Sequence, residues 1–429
     1  MIQQSTYEKT WRYLHKESLL DRNIYVEKNQ IPLGTKRPFY AYPEDKHGKR
    51  IIPEEEIVYL KFDPINKPFT ERNAFNILVL GGSGDGKSLL MKNIWWFLHE
   101  AGFFCLYFDP KSTDAGRAKI AWHNNRIAPN IAPKGIKLKH YIPVFATRNY
   151  QHLIHNFYVY SLRLSQIDQK EMWLGLGCTN KGASKIAKLV QKYGEHINLE
   201  NIKKLLFEMY EQKEINAQAM QGMDSILIDL EDYDVINEQY ETLQMLEDFK
   251  EGYSIVLSYN SCSYILMSFD IGLRIYTAMR YYFNSNNRNP IFFFLDDSSY
   301  YAKEKKELLK FNFAINEIKN IGFNYRSLGI SSCLAVQTLG IIDENVSEVF
   351  KVKIITPSFN NPDSLKQINI PKDVIQLIQD NKLMVDRDMH INEYAIVFPD
   401  NTWTRFFPFL PSCLHFEEVY KEKNDKRIP

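Results

Sequence analysis

Gly81-Gly82-Ser83-Gly84-Asp85-Gly86-Lys87-Ser88 is the stretch whose reading decides the fold of this chain. The octet satisfies G-x-x-x-x-G-K-[ST] in full, and both of its flanks fit. Before it, Asn76-Ile-Leu-Val-Leu80 is a short apolar run that ends at glycines, as a buried strand does; after it, Ser88 to Glu100 has helical character. Glycines here let the backbone wrap a polyphosphate with successive N–H groups turned inward, and the helix that follows adds its positive N-terminal end. The alternative, a plain glycine turn between strand and helix, leaves the correct flanks unexplained. The expected nucleotide contacts are Gly81, Gly82, Ser83, Gly84, Asp85, Gly86, Lys87, Ser88 and Leu89. Lys87 is expected to reach the β- and γ-phosphates and the Ser88 hydroxyl to ligate Mg²⁺, which makes ATP and Mg²⁺ the expected ligands.

Outward from the loop, Phe103-Phe-Cys-Leu-Tyr-Phe-Asp109 reads as a second buried strand, so strand, helix and strand make a βαβ unit and predict a parallel sheet. The region before the loop, residues 1–70, is Pro-punctuated and reads as a short, partly β or irregular appendage; Glu56-Ile-Val-Tyr-Leu-Lys-Phe62 is its strand candidate. Residues 71–149 form the first part of the core. Across 150–250 helical patterns dominate, over Ala183–Tyr193, Leu199–Glu211 and Val235–Phe249, which predicts a helical insertion. Sheet-like runs resume over 251–411: Tyr253–Tyr259 before a helix over Ser263–Tyr282, Pro290–Asp296 before a helix over Tyr300–Asn320, then Ile330–Gln337 and Val352–Thr356. A hairpin of Tyr394–Phe398 with Thr402–Phe407 closes the core, and 412–429 is a charged tail.

A P-loop needs a further acid to hold its metal. Ile291-Phe-Phe-Phe-Leu-Asp296-Asp297 is an apolar strand ending in two carboxylates. Asp296 is expected to hold Mg²⁺ and Asp297 to polarise the attacking water as general base, although Asp-Asp-Ser-Ser is also good turn material. Gln337 ends the next core strand; at the carboxyl end of such a strand a polar side chain faces the γ-phosphate or serves as an ordinary loop residue. Arg274, Arg280, Arg288 and Arg326 are the arginines that could complete a neighbouring subunit's site, each read alone as a solvated residue. Lys134, Lys137, Lys139 and His140 read as a basic loop, either touching phosphates or simply solvated, and Lys303-Glu-Lys-Lys-Glu307 as one exposed helix face.

The composition agrees with a globular protein: of 429 residues, 45% are apolar and 24% charged, and the length allows two or three domain-sized units. A formal charge of +1 argues against a strongly basic nucleic-acid coat protein but leaves room for a motor whose basic groups line a channel. The 26 Tyr and 27 Phe are first of all core material. Five widely spaced cysteines have no metal-site spacing, and the odd count argues against a disulfide framework. They are expected to be reduced and mostly buried, in a cytoplasmic protein. The N-terminus has no signal-peptide core, and no run reaches the roughly 18 apolar residues of a membrane span.

The order of these motifs resembles the HerA–FtsK superfamily of ring-forming DNA-pumping ATPases, its HerA-like branch above all. Gly81–Ser88, Asp109-Pro110-Lys111, the helical stretch 150–250, Asp296-Asp297 and Gln337 follow the family's order of P-loop, Asp-Pro-Lys strand end, helical insertion, acidic strand end and strand ending in Gln. Arg326-Ser-Leu-Gly-Ile-Ser-Ser-Cys-Leu-Ala-Val-Gln337 is similar to its R-x-x-G-I…Q segment, which singles out Arg326 as the trans-acting arginine. Ile391–Pro411 looks like the closing strands of HerA-like proteins. The family usually has Glu where Asp297 stands, and its N-terminal barrel is not evident in residues 1–70. The resemblance, over roughly 55–411, implies an α/β RecA-like P-loop NTPase core with a mainly parallel central sheet. Lys87, Asp297, Gln337 and Arg326 are then the catalytic residues, and Ser88 and Asp296 hold the metal. It also implies a homo-oligomeric ring, expected to be a hexamer, acting on double-stranded DNA with a nuclease, capsid or relaxase partner. A P-loop switch or a pilus or secretion motor is the alternative.

Overall fold

A computed structural model describes residues 24–46, 50–63, 75–111, 114–124, 126–149, 157–260, 262–284, 289–300, 312–325, 328–337, 349–359, 361–386 and 391–414. Its strands are β1 Gln30–Thr35, β2 Ile57–Lys61, β3 Ile77–Leu80, β4 Phe104–Asp109, β5 Leu138–Pro143, β6 Tyr158–Tyr160, β7 Ser254–Ser258, β8 Ile291–Leu295, β9 Ile330–Val336, β10 Val352–Ile355, β11 Val385–Asp386, β12 Ile391–Asn392, β13 Tyr394–Val397 and β14 Trp403–Pro408. The helices are α1 Lys87–Glu100, α2 Lys170–Gly175, α3 Asn180–Tyr193, α4 Leu199–Glu211, α5 Ala217–Asp232, α6 Met245–Lys250, α7 Tyr264–Asn284, α8 Phe313–Phe323, α9 Pro362–Gln367 and α10 Lys372–Gln379.

Twelve strands form one sheet in the order β2-β1-β14-β13-β10-β3-β9-β8-β4-β7-β5-β6. From β10 to β6 every neighbour is parallel; β13, β14, β1 and β2 continue the sheet antiparallel. This is the mixed α/β architecture expected from the βαβ unit around the P-loop. The central parallel strands are buried on both faces, which is why β3 and β8 read as unbroken apolar runs rather than alternating ones, and why even Ser331 and Ser332 of β9 are buried. One face is covered by α1, whose Leu90, Met91, Ile94 and Trp95 pack with Ile77, Val79, Tyr107 and Phe294. The other face is covered by α7, α8 and the helices α2 to α6, against Leu78, Leu106, Phe293 and Leu334.

Several elements depart from the sequence expectation. Val235–Phe249 is not one helix. The carbonyls of Asn237 and Tyr240 accept from the Arg163 guanidinium, and those of Val235 and Glu241 accept from the amides of Leu162 and Ser161, so the backbone needed for a helix is engaged elsewhere until α6 begins. The helix of this region is α5, which the sequence reading passed over; Asn216 caps its start and Asp234, at φ 54°, follows its end. The supposed basic loop contains β5, with Lys139 and His140 inside a strand. Of the helix expected over Tyr300–Asn320, residues 301–311 lie outside the described residues and α8 covers the remainder. Four cysteines are buried, Cys262 is half-buried, and none of the five is in a disulfide. Among the described residues, no helix is long and apolar enough to cross a membrane.

Candidate active site

Strand register brings the chemistry to one edge. Leu80 of β3 is level with Val336 of β9 and Ile355 of β10, so Gly81, Gln337 and Thr356 leave the sheet side by side. Leu295 is level with Leu334 and Phe108, which puts Asp296 and Asp109 on the same edge. This is the carboxyl edge of parallel strands, where open α/β sheets bind ligands.

The loop itself is shaped by glycines at two telling places. Gly86, at φ 87°, is the N-cap of α1 and places its own carbonyl in the first helical bond without any side-chain cap. A Cβ there would lie 2.6 Å from the Tyr394 hydroxyl, and one at Gly81 would lie 1.9 Å from Thr356 Oγ1. Only glycine fits. The first-turn amides of α1 have no capping side chain, so the helix end is available to an anion. Ser83 and Gly84 form the exposed crest, and Leu89 is half-buried in the first turn.

Lys87 is buried, and its Nζ donates to the carbonyl oxygens of Gly81 at 2.9 Å and Gly82 at 2.5 Å. Burial pulls its pKa below the usual lysine value, while Asp297, Asp296 and Asp85 oppose that loss of charge. Asp296 is buried and accepts from the Tyr107 hydroxyl at 2.7 Å, from the amide of Asp297 at 2.9 Å and from the Ser88 hydroxyl. Burial and then the charge of Asp297 raise its pKa, and those hydrogen bonds resist the rise. The two groups expected to hold a divalent cation, Ser88 and Asp296, thus already touch. A hydroxyl and a carboxylate beside an uncapped helix N-terminus are a hard-oxygen donor set that suits Mg²⁺ shared with a polyphosphate.

Asp297 takes a left-handed backbone at φ 41°, which Asp tolerates better than most residues. Its Oδ1 accepts from Gln337 Nε2 at 2.9 Å and its Oδ2 pairs with Lys111 Nζ at 2.9 Å. Sequence reasoning placed Lys111 in a family motif but assigned it no role; only the alignment of β4 beside β8 shows its partner.

On the opposite side of the loop, Asp85 Oδ2 accepts from the Gly82 amide at 2.9 Å and from the hydroxyls of Thr356 and Ser358. The Asp85 carbonyl accepts from the Tyr394 hydroxyl. The loop is braced against β10 and β13.

Of the arginines, Arg274 is buried with its Nε and Nη2 both donating to Asp270 Oδ1, while Asp270 Oδ2 accepts from Tyr160 and Tyr259, so it is a core residue rather than one that reaches a neighbour. Arg280 pairs with Asp168 at 2.9 Å. Arg288 and Arg326 lie outside the described residues. The basic residues of β5 and its approach are taken up within the chain: Lys134 by Glu100, Lys137 by the Glu251 carbonyl, Lys139 by Asp248. His140 lies under Gly116, with its Nε2 2.8 Å from the Ser258 hydroxyl, and burial lowers its pKa to about 3.

No protein-family model matches the chain, and no curated protein matches it. Solved structures do. VirB4 of Thermoanaerobacter pseudethanolicus is similar at a TM-score of 0.54 and 11% identity, over 89% of this chain and 96% of that one. The plasmid coupling protein TrwB in complex with the non-hydrolysable ATP analogue ADPNP is similar at a TM-score of 0.50 and 10% identity, over 80% and 88%. At these identities the likeness concerns the fold. The chain shares the mixed α/β, RecA-like P-loop NTPase fold with these two structures.

Proposed function

We propose that this chain is an Mg²⁺-dependent ATPase that works as a subunit of a ring, expected to be hexameric, and moves double-stranded DNA. The observation that carries the reading is the carboxyl edge of the sheet, where the P-loop, both acids of the β8 end and Gln337 of the β9 end stand together. The amides of 84–88 and Lys87 bind the polyphosphate. Ser88 and Asp296 would hold Mg²⁺, which when bound would supply positive charge beside the phosphate oxygens. A carboxylate has about four lone-pair sites, so Asp297, with two of them held by Gln337 and Lys111, keeps others to orient the attacking water and accept its proton. Arg326 is assigned the trans-acting role by the resemblance alone.

Ring and DNA rest on the motif order and on a fold shared with a plasmid coupling protein. DNA transfer or packaging with a relaxase, capsid or nuclease partner, in a cytoplasmic setting, follows from them. Purified protein should form a ring by native mass measurement and hydrolyse ATP faster with duplex DNA. Lys87→Ala should abolish turnover, and Arg326→Ala should abolish it while nucleotide still binds. Turnover indifferent to DNA, with no ring, would sink the translocase.

One observation favours a second reading, a regulatory or structural switch or a pilus or secretion motor. Both Asp297 oxygens already have partners, and Asp stands where the family has Glu. On that reading turnover stays slow and indifferent to DNA.

A further inference from the structure

Asp296, the first acid of the β8 end, is held at both oxygens. Its Oδ1 accepts from the amide of Asp297 at 2.9 Å and its Oδ2 from the Tyr107 hydroxyl at 2.7 Å. The amide contact is backbone, so any residue but proline at 297 supplies it. The hydroxyl contact depends on one side chain. Tyr107 is 1% exposed and stands level with Phe294 in the register of β4 against β8. The other aromatic residues of these two strands are Phe104, Phe108, Phe292, Phe293 and Phe294. Tyrosine at 107 differs from them by the one group that touches the acid.

The ring behind that hydroxyl is fixed by two others. Phe294 stacks on it at 5.7 Å between centroids and 15° between planes, and Trp95 of α1 packs against it at 5.0 Å. Trp95 is fixed in turn. Its Nε1 donates to Ser254 Oγ at 3.1 Å, and that oxygen lies 2.9 Å from His99 Nδ1. Ser88, Trp95 and His99 fall at i, i+7 and i+11 on one stripe of α1. The helix thus meets Asp296 twice, directly through Ser88 and again through Trp95 packed on Tyr107. A carboxylate held at one oxygen turns readily about its Cβ–Cγ bond, whereas one held at both keeps its aim.

We propose that Tyr107 is a positioning residue: its hydroxyl holds the Asp296 carboxylate in the orientation that faces Ser88 and a divalent cation shared with the nucleotide. The inference rests on reading Ser88 and Asp296 as the metal-holding pair. Groups that orient a ligand from behind govern metal affinity without touching the metal. Removing the hydroxyl has two opposed effects. It leaves more electron density on the carboxylate, which favours a cation, and it frees the carboxylate to turn, which does not. With two rings packed to aim that hydroxyl, orientation prevails, and the sign of the change is itself a readout.

Equilibrium binding of ADPNP to the full chain is measured with Mn²⁺ and with EDTA, and the ratio of the two affinities is the metal's contribution. Tyr107→Phe keeps the ring and should lower that ratio about tenfold, with the EDTA affinity within about twofold of wild type; Asp296→Asn should lower the ratio at least as much. A hydroxyl with a merely structural role would lower Tm and leave the ratio at its wild-type value. A ratio unchanged or raised in Tyr107→Phe, while Asp296→Asn lowers it, overturns the positioning role. A ratio lowered by neither variant overturns the metal-holding reading of Asp296 beneath it. If Tyr107→Phe fails to bind ADPNP even in EDTA, Trp95→Phe carries the test. That variant keeps the hydroxyl, loosens the support of its ring and should lower the ratio about threefold; an unchanged ratio again overturns the role.

Discussion

The P-loop has two unlike flanks. Toward β9 and β8 it faces a network of charges: Lys87 and Lys111 against Asp296 and Asp297, with Gln337 as the neutral member. Toward β10 and β13 it is held by hydroxyls, with Thr356, Ser358 and Tyr394 donating to a single loop residue, Asp85. The physical consequences differ. The Lys111–Asp297 pair retains 32% and 19% side-chain exposure, and pairs in contact with water contribute at most about 1 kcal/mol, so its members exchange partners at little cost. Thr356 and Tyr394 are buried, and a buried donor that loses its acceptor costs about 1–3 kcal/mol. One flank is suited to chemistry in which charges move, the other to keeping the loop's shape while they do.

Asp297→Asn offers the hardest test of that division. The change keeps the size and the left-handed backbone preference of the side chain but removes its proton acceptor. Turnover should fall about a hundred- to ten-thousand-fold with ADPNP affinity nearly unchanged. A rate as high as wild type in Asp297→Asn would move the chemistry off this flank.

Lys111→Met should have a smaller effect. The isosteric chain removes one of the two groups that aim Asp297, and kcat should drop about tenfold while KM for ATP stays within about twofold. A shift in KM with kcat intact would make Lys111 a phosphate ligand instead. Smaller still for turnover is Thr356→Val, on the hydroxyl flank. It removes a buried donor from a carboxylate that keeps two others, and should lower stability by about 2 kcal/mol, read as a fall in Tm, with kcat changed less than about threefold. A larger loss of turnover than in Lys111→Met would reverse the comparison between the flanks.

The two flanks were not equally legible in the sequence. β3, the loop and α1 are contiguous, β8 is an unbroken apolar run leading into Asp296-Asp297 and β9 a mainly apolar one leading into Gln337, so local pattern was enough to place them on one sheet edge. The partner of Lys111 is fixed by the register of β4 against β8, and the hydroxyl brace by β10 lying beside β3 and β13 beside β10, neither of which leaves a local signal. The expected helix over Val235–Phe249 failed for a similar reason. Its apolar spacing suits a helix, but Arg163 and the segment after β6 bind its carbonyls from more than seventy residues away. Long-range capture of backbone groups overrides local periodicity.

Glu317→Gln tests where the ionic flank stops. Glu317 lies on α8, behind β9, and accepts from Tyr325 Oη at 2.8 Å and Asn320 Nδ2 at 3.0 Å. Burial raises its pKa from 4.5 to about 7 against those two hydrogen bonds. Because the folded-state value exceeds the unfolded one, the stability it contributes is fully present below pH 4.5 and is lost as pH rises through about 7. At about 1.4 kcal/mol per pH unit that shift amounts to at most about 3.5 kcal/mol. Gln mimics the protonated form at every pH, so the variant should lack this slope between pH 4.5 and 7 in chemical denaturation, while kcat at neutral pH is unchanged. If kcat fell with the slope, the network of charges would extend through α8 to the Gln337 strand, and the boundary drawn at Asp297 and Gln337 would be too narrow.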